Sequence, residues 1–220
     1  MTTHLYLIRH GEAYANTEDI IGGVAGCRGL TPAGRRQAKQ LRRRLERGAI
    51  AADALYSSTL PRARETAGIV APALHVPIQY DAALQELCEG VADGMRRRDA
   101  RRQYPALKTV HTRVFTPVAP GGESWASVQL RVSGALERII ASNLERRIVV
   151  ICHGGVIQAS FVHLMRLLPQ LRSSNSFEVG HTALTHRYQH VRRDGRVVWY
   201  LGAHNDDRHL HGLEEGSGVA

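Results

Sequence analysis

The chain has 220 residues, 43% of them apolar, and a formal net charge of +9. That length suits one domain with its own core, and no stretch reaches the roughly 18–20 uninterrupted apolar residues of a membrane span. Three scattered cysteines, Cys27, Cys88 and Cys152, provide neither a disulfide framework nor a C-x-x-C metal pattern. With no secretory pattern at its start, the chain is expected in the cytoplasm.

Leu5-Tyr6-Leu7-Ile8 is a continuous apolar run, the pattern of a strand buried on both faces. It ends in Arg9-His10-Gly11: a cation, an imidazole, and a residue with no side chain to block a ligand. Ligands of open α/β sheets gather outside the carboxyl ends of the strands, which makes this strand end a candidate site. Residues 15–29 hold Gly22, Gly23, Gly26 and Gly29 and read as a long loop. Thr31-Pro32 opens a helix as cap and first helical residue. Ala38, Leu41 and Leu45 form its apolar face, and Gly48 ends it. Residues 53–56 predict a second strand, running into Ser57-Ser58. A helix follows with Leu60, Ala63, Ala67 and Val70 inward, and Pro72 and Pro77 bracket its exit.

Residues 86–123 are irregular, with two glycines early, an arginine cluster, and Pro117, Pro120 and Gly121-Gly122 late. They read as a small insertion, helical around 96–104, lying over the sheet as a cap. Trp125, Val128, Val132, Leu136, Ile139 and Ile140 recur at helical spacing. Arg147–Cys152 is the clearest strand. It stops at His153-Gly154-Gly155 and leads into an apolar helix reaching Leu168. Strand-like runs near 182–191 and 197–201 precede a polar tail with Asn205, His209 and Leu210, disordered from about 214. The alternation predicts an α/β fold: one domain over 1–220, a three-layer sandwich with a mostly parallel central sheet flanked by helices. An edge strand near 182–191 would allow a homodimer.

Two apolar strands thus end in histidine-glycine, at His10 and at His153. If both are central, their imidazoles meet at one sheet edge, where the second strand also delivers Arg62. Two histidines and two arginines suit a phosphoryl group better than a metal, since guanidinium forks match phosphate oxygens and stay charged. Phosphoryl transfer asks mainly for positioning and charge stabilisation, and histidine can itself be the nucleophile. The arginines at 42–44 read as a solvated helix face. Those at 96–98, 101 and 102 favour an anionic partner. Nucleic acid is disfavoured because aromatic stacking platforms and recognisable binding motifs are lacking.

Several blocks occur in one order: Arg9-His10-Gly11-Glu12 with Asn16; Leu30-Thr31-Pro32-x-Gly34-Arg35-x-Gln37-Ala38; Ser57-Ser58-x-Leu60-x-Arg62-Ala63-x-x-Thr66-Ala67; Leu84-x-Glu86 with Gly90 and Gly94; Pro120-Gly121-Gly122-Glu123-Ser124; His153-Gly154-Gly155-x-Ile157; and Asn205 through His209-Leu210. Together they resemble the histidine phosphatase superfamily, the phosphoglycerate-mutase-like enzymes, across nearly the whole chain. The resemblance implies that His10 attacks phosphorus and becomes a phosphohistidine. Arg9, Arg62 and His153 would hold the equatorial oxygens, His153 as a donor or a cation. Asn16 and the backbone N–H groups of Gly154 and Gly155 would add hydrogen bonds. Glu86 would protonate the leaving alkoxide and then activate water, with no metal or other cofactor. Glu89 stands close by, and which carboxyl faces the pocket stays open, as does a lining role for His181.

Two departures bear on substrate. Gly26-Cys27-Arg28-Gly29 lacks the aspartate and proline common there, which makes Arg28 either a substrate reader or a surface residue. Val91-Ala92-Asp93-Gly94 replaces a Trp-Glu-Gly run, and arginines follow. The short interval from Glu86 to His153 favours hydrolysis over mutase chemistry. The expectation is a phosphatase acting on a small, acidic phosphorylated metabolite, with no nucleic-acid or membrane partner.

Overall fold

The computed structural model describes residues 2–167 and 175–211. In chain order it contains β1 (Thr2–Arg9), the short α1 (Tyr14–Thr17), α2 (Pro32–Arg44), β2 (Ala54–Ser58), α3 (Pro61–Leu74), β3 (Ile78–Asp81), α4 (Arg97–Gln103), α5 (Trp125–Ala141), β4 (Arg147–Cys152), α6 (Gly154–Leu164), β5 (Leu184–Val191) and β6 (Val197–Asp206). The six strands form one sheet in the order β3-β2-β4-β1-β5-β6. β3, β2, β4 and β1 run parallel, while β5 is antiparallel to β1 and β6 to β5. The sheet is therefore mixed, with its parallel part carrying the two histidine-bearing strands side by side. The register that pairs Arg9 with Cys152 brings His10 and His153 to the same edge.

Alternation along the strands builds two cores. Leu5, Leu7, Ile148 and Val150 face α5 and α6 through Val128, Val132, Leu136 and Ile157. Ile8, Leu55, Val149 and Ile151 face α2 and α3 through Leu41, Ala63, Ala67 and Val70. Both faces of the central strands are covered, as parallel pairing through crossover helices requires. A third, small cluster of Ile21, Ala92, Ala100 and Ala119 joins the glycine loop to the middle segment.

Several expectations shift. α3 runs through Pro72 to Leu74, because a proline in the final turn gives up little of the helical ladder. β3 is a four-residue edge strand, too short to show a period. α6 ends at Leu164, where Arg166 at φ 53° breaks the helical path. Leu168 lies outside the described residues, as does the tail from 214. β6 extends to Asp206 and absorbs Asn205. The run near 182–191 is not an edge, since β5 is hydrogen-bonded to β1 on one side and β6 on the other. The run therefore offers no free edge for strand pairing with a second copy.

The tightest junction lies between β1's end and the start of α2. A Cβ on Gly34 would fall 2.0 Å from the Glu12 carbonyl oxygen, and one on Gly11 would fall 2.6 Å from the Gly34 oxygen. Thr31 caps α2 by accepting from the Gly34 N–H, and its hydroxyl donates to the Glu12 carboxylate. Because both obstacles are backbone, Gly34→Ala is expected to lower stability by about 1–3 kcal/mol. That corresponds to a fall of some 2–10 °C in Tm for a chain of this size, measurable by thermal denaturation, with a larger loss of His10-dependent activity than of secondary structure.

Candidate active site

His10 leaves β1 buried, and its backbone N–H is held by the Cys152 carbonyl. Its Nδ1 lies 2.7 Å from the Gly11 carbonyl oxygen. A carbonyl only accepts, so Nδ1 carries the proton and Nε2 keeps its lone pair. Arg62, in the first turn of α3, donates its Nε–H to that lone pair at 3.0 Å. Burial first, then the Arg62 and Arg9 guanidinium groups, push His10 well below the usual histidine range, leaving a neutral imidazole. Thr66, one turn along α3, accepts from the Gly11 N–H and donates to the Arg62 carbonyl. One buried hydroxyl thus ties the nucleophile's turn to the arginine's helix.

Arg9 donates to the Val179 carbonyl through Nη1, while its buried Nε has no hydrogen-bond partner among the described residues and faces Gly154. His153 packs with its ring centroid 5.1 Å from that of His10. Its Nε2 is 2.8 Å from Ser58 Oγ at the end of β2. Burial, followed by Arg62, drives it well below its ordinary pKa, which favours a neutral ring against Ser58. His181 also approaches His10, at 5.9 Å between centroids. Burial and Arg9 push it down to about 4.

Around these groups opens a cavity of about 320 Å³. Arg9, His10, Arg62, Asn16, Glu86, Gly154 and Gly155 line it, all as the sequence proposed. Asn16 turns its Oδ1 to the Ala13 N–H, which leaves the amide nitrogen as the end that can donate to a ligand. Glu86 accepts from its neighbour Leu87 N–H and, at 3.0 Å, from Gly155 N–H at the start of α6. The Gly155 donor expected to meet a phosphoryl oxygen is thus taken by Glu86, which leaves Gly154 and Arg9 Nε at that helix end. Arg131 on α5 sets Glu86 in place. It pairs with Glu123 and donates to the Ala83 and Gln85 carbonyls of the preceding turn. Sequence analysis missed this strut. Its signal was Glu123 eight residues before an arginine on a helix.

Arg28 stands apart from this group of residues. It is paired with Glu18 and lies over the Tyr14 ring, outside this cavity. The arginine cluster divides. Arg97 and Arg101, four apart on one face of α4, line the cavity, whereas Arg98 and Arg102 are more than four-fifths exposed. Leu87, Leu107, Val110, Val118 and Trp125 add apolar lining to the same cavity. Glu89 also lines the cavity. Burial, and then the charge of Glu86, raise it to about 7, against the pull of Arg97 and Arg62. Below that value Glu89 is a neutral donor. Above it, an added negative charge faces any anionic ligand. For an anionic phosphate ester KM is therefore expected to rise as pH passes upward through about 7. Glu89→Gln should keep KM flat between pH 6 and 8, and steady-state kinetics over that range checks it.

Known proteins resemble this chain over most of its length. The histidine phosphatase superfamily (branch 1) matches residues 5–200. A phosphoglycerate mutase-like protein 4 of Arabidopsis thaliana is 35% identical over 162 residues, covering 71% of this chain and 69% of that protein. Phosphoserine phosphatase 1 of Hydrogenobacter thermophilus is 30% identical over 166 residues, covering 73% of this chain and 75% of its own. Among solved structures, the phosphoserine phosphatase of Entamoeba histolytica in complex with 3-phosphoglyceric acid superposes with a TM-score of 0.76. It is 28% identical, and the match covers 94% of this chain and 99% of that one.

Proposed function

The chain belongs to the histidine phosphatase superfamily, and from that premise we propose that it is a phosphomonoesterase that hydrolyses a small acidic phosphorylated metabolite through a phosphohistidine. The observation that carries the reading is the His10 tautomer: Nδ1–H bound to the Gly11 carbonyl and Nε2 aimed at Arg62. The Nε2 lone pair attacks phosphorus, the bond from phosphorus to the ester oxygen breaks, and Glu86 supplies the proton that leaves with the alkoxide. Water then attacks the phosphohistidine, Glu86 takes its proton back, and the N–P bond breaks to release phosphate. As substrate enters, the Arg62 Nε–H turns from the imidazole to a phosphoryl oxygen. Together with Arg9 it stabilises the equatorial charge. Positive charge at phosphorus comes from these guanidinium groups, so the reaction is expected to proceed in the presence of a chelator. His153, held by Ser58, backs the His10 ring.

The cavity lining supports the substrate class. Arg97 and Arg101 stand where a second anionic group of the substrate would lie, and the apolar lining leaves room for only a small carbon skeleton. The resemblance to both mutase-like and phosphatase relatives keeps phosphoglycerate mutase as the second reading. Hydrolysis is favoured by the short span from Glu86 to His153, which leaves little chain to shield a phosphohistidine from water. Among partners, a phosphorylated small molecule is proposed, and nucleic acid is not.

The test is phosphate release from phosphoamino acids, phosphoglycerates, sugar phosphates and an aryl phosphate, with chelator throughout. His10→Ala is expected to reduce every activity to background, and Arg62→Ala to lower kcat by about 10²–10³-fold. Acid-labile, base-stable label on the wild-type protein after rapid quenching identifies the phosphohistidine. Label that persists until a bisphosphorylated primer or acceptor is added identifies a mutase instead. Arg101→Ala is expected to raise KM about 10- to 100-fold for substrates with a second acidic group, while leaving the aryl phosphate unchanged.

A further inference from the structure

Asp93, in the turn before α4, does not line the cavity yet accepts hydrogen bonds from three backbone N–H groups of the glycine loop. Its Oδ1 accepts from the Gly23 N–H at 2.7 Å and the Gly26 N–H at 3.0 Å, and its Oδ2 from the Ala25 N–H at 2.7 Å. The glycine loop is wrapped around one carboxylate. The glycines are required by that wrapping: a Cβ on Gly23 would fall 2.6 Å from the Asp93 Cγ, and one on Gly26 would fall 2.1 Å from the Ile21 oxygen and 2.9 Å from Asp93 Oδ1. Just before the wrap the loop is stitched to the same segment. Gly94 N–H donates to the Ile21 carbonyl, Ile21 N–H to Met95, and Arg97 N–H to Asp19.

The loop's inner end matters most. The Gly22 carbonyl, next to the wrapped residues, accepts from Arg62 Nη1, and the same guanidinium donates through Nε to His10 Nε2. We infer that Asp93 is a positioning residue for the reaction proposed above: by folding residues 23–26 around its carboxylate it fixes the Gly22 carbonyl, which aims Arg62 at the nucleophile. The inference rests on that functional reading for its kinetic consequence, though not for the structural coupling itself.

The coupling predicts that losing Asp93 matters only while Arg62 is present. Asp93→Ala is expected to lower kcat for a small aryl phosphate about 10- to 100-fold, the scale of an ångström-sized misplacement, with KM changed less. Asp93→Asn, which keeps one accepting oxygen for Gly23 and Gly26, should fall between. In an Arg62→Ala background the further substitution of Asp93 should change kcat less than twofold. A readout independent of activity is the His10 ring titration followed by NMR. His10 faces Arg62, Arg9, His153 and His181, so releasing Arg62 should move its midpoint upward in Asp93→Ala and in Arg62→Ala. The double variant should show no further movement. Folding is checked by circular dichroism, with Asp93→Asn standing in if the alanine variant does not fold. Wild-type kcat and an unmoved His10 midpoint in Asp93→Asn and Asp93→Ala overturn the inference, as does an equal loss of kcat with and without Arg62. A protein with no His10-dependent phosphate release overturns the functional reading, and the NMR arm then decides the coupling by itself.

Discussion

The site depends on one short hydrogen bond, from the His10 Nδ1–H to the Gly11 carbonyl. It decides which imidazole nitrogen keeps a lone pair, and so whether the ring is a nucleophile or an idle donor. That bond exists because the chain turns sharply at Gly11, and the turn exists because Gly11 and Gly34 meet backbone to backbone. The helix that approaches so closely is started by Thr31 and Pro32, and Thr31 reaches back to Glu12. Thr66 holds the same turn from the opposite side through the Gly11 N–H. Local capping chemistry, glycine contact and catalytic tautomer are one continuous arrangement. A change to any part of it reaches the imidazole.

The second constraint is electrostatic. Three imidazoles and two guanidinium groups are brought together out of water, and the burial of like-signed groups is costly unless some stay neutral. The histidines absorb that cost. His10, His153 and His181 are all held below their ordinary range by burial and by the neighbouring arginines, so the positive charge resides on Arg9 and Arg62 alone. Two carboxyls also line the cavity, and burial, followed by the charge of Glu86, raises Glu89. In the proposed mechanism, charges pushed apart in this way would divide labour: permanent cations for phosphoryl oxygens, a neutral ring for attack, and carboxyls for protons.

Much of this was legible in the sequence, for reasons that differ by element. β1 and β4 were readable because a continuous apolar run that stops at a polar residue has few other meanings, and their shared histidine-glycine endings pointed to a common edge. Arg62, Glu86 and Asn16 followed from the motif blocks, and all line the cavity. What failed depended on pairing or direction. Nothing local says that β5 pairs on both sides, or that β3 exists at four residues. Arg28 and Arg97 look alike as charges in glycine-rich surroundings, yet one is paired with Glu18 at the surface and the other lines the cavity. A guanidinium's direction is set by the helix that carries it: Arg97 and Arg101, one turn apart, fall on one face of α4 and Arg98 and Arg102 on another. Asp93 acts through backbone N–H groups, which carry no residue identity to recognise.

The middle segment therefore does more than line the cavity. One end supplies Arg97 and Arg101 as the wall a substrate's second anionic group would meet. The same stretch, two to four residues earlier, threads Asp93, Gly94 and Met95 into the glycine loop whose Gly22 carbonyl holds Arg62. A ligand that pulls on α4 pulls on the backbone that aims the arginine at His10. Binding energy from the non-reacting end of a substrate is most useful when it sharpens interactions at the reacting end, and a rigid, hydrogen-bonded connection between the two is the simplest way to transmit it. In the proposed mechanism, one carboxylate and three backbone N–H groups would form that connection. In such a design the identity of the substrate and the geometry of attack are set by a single piece of chain.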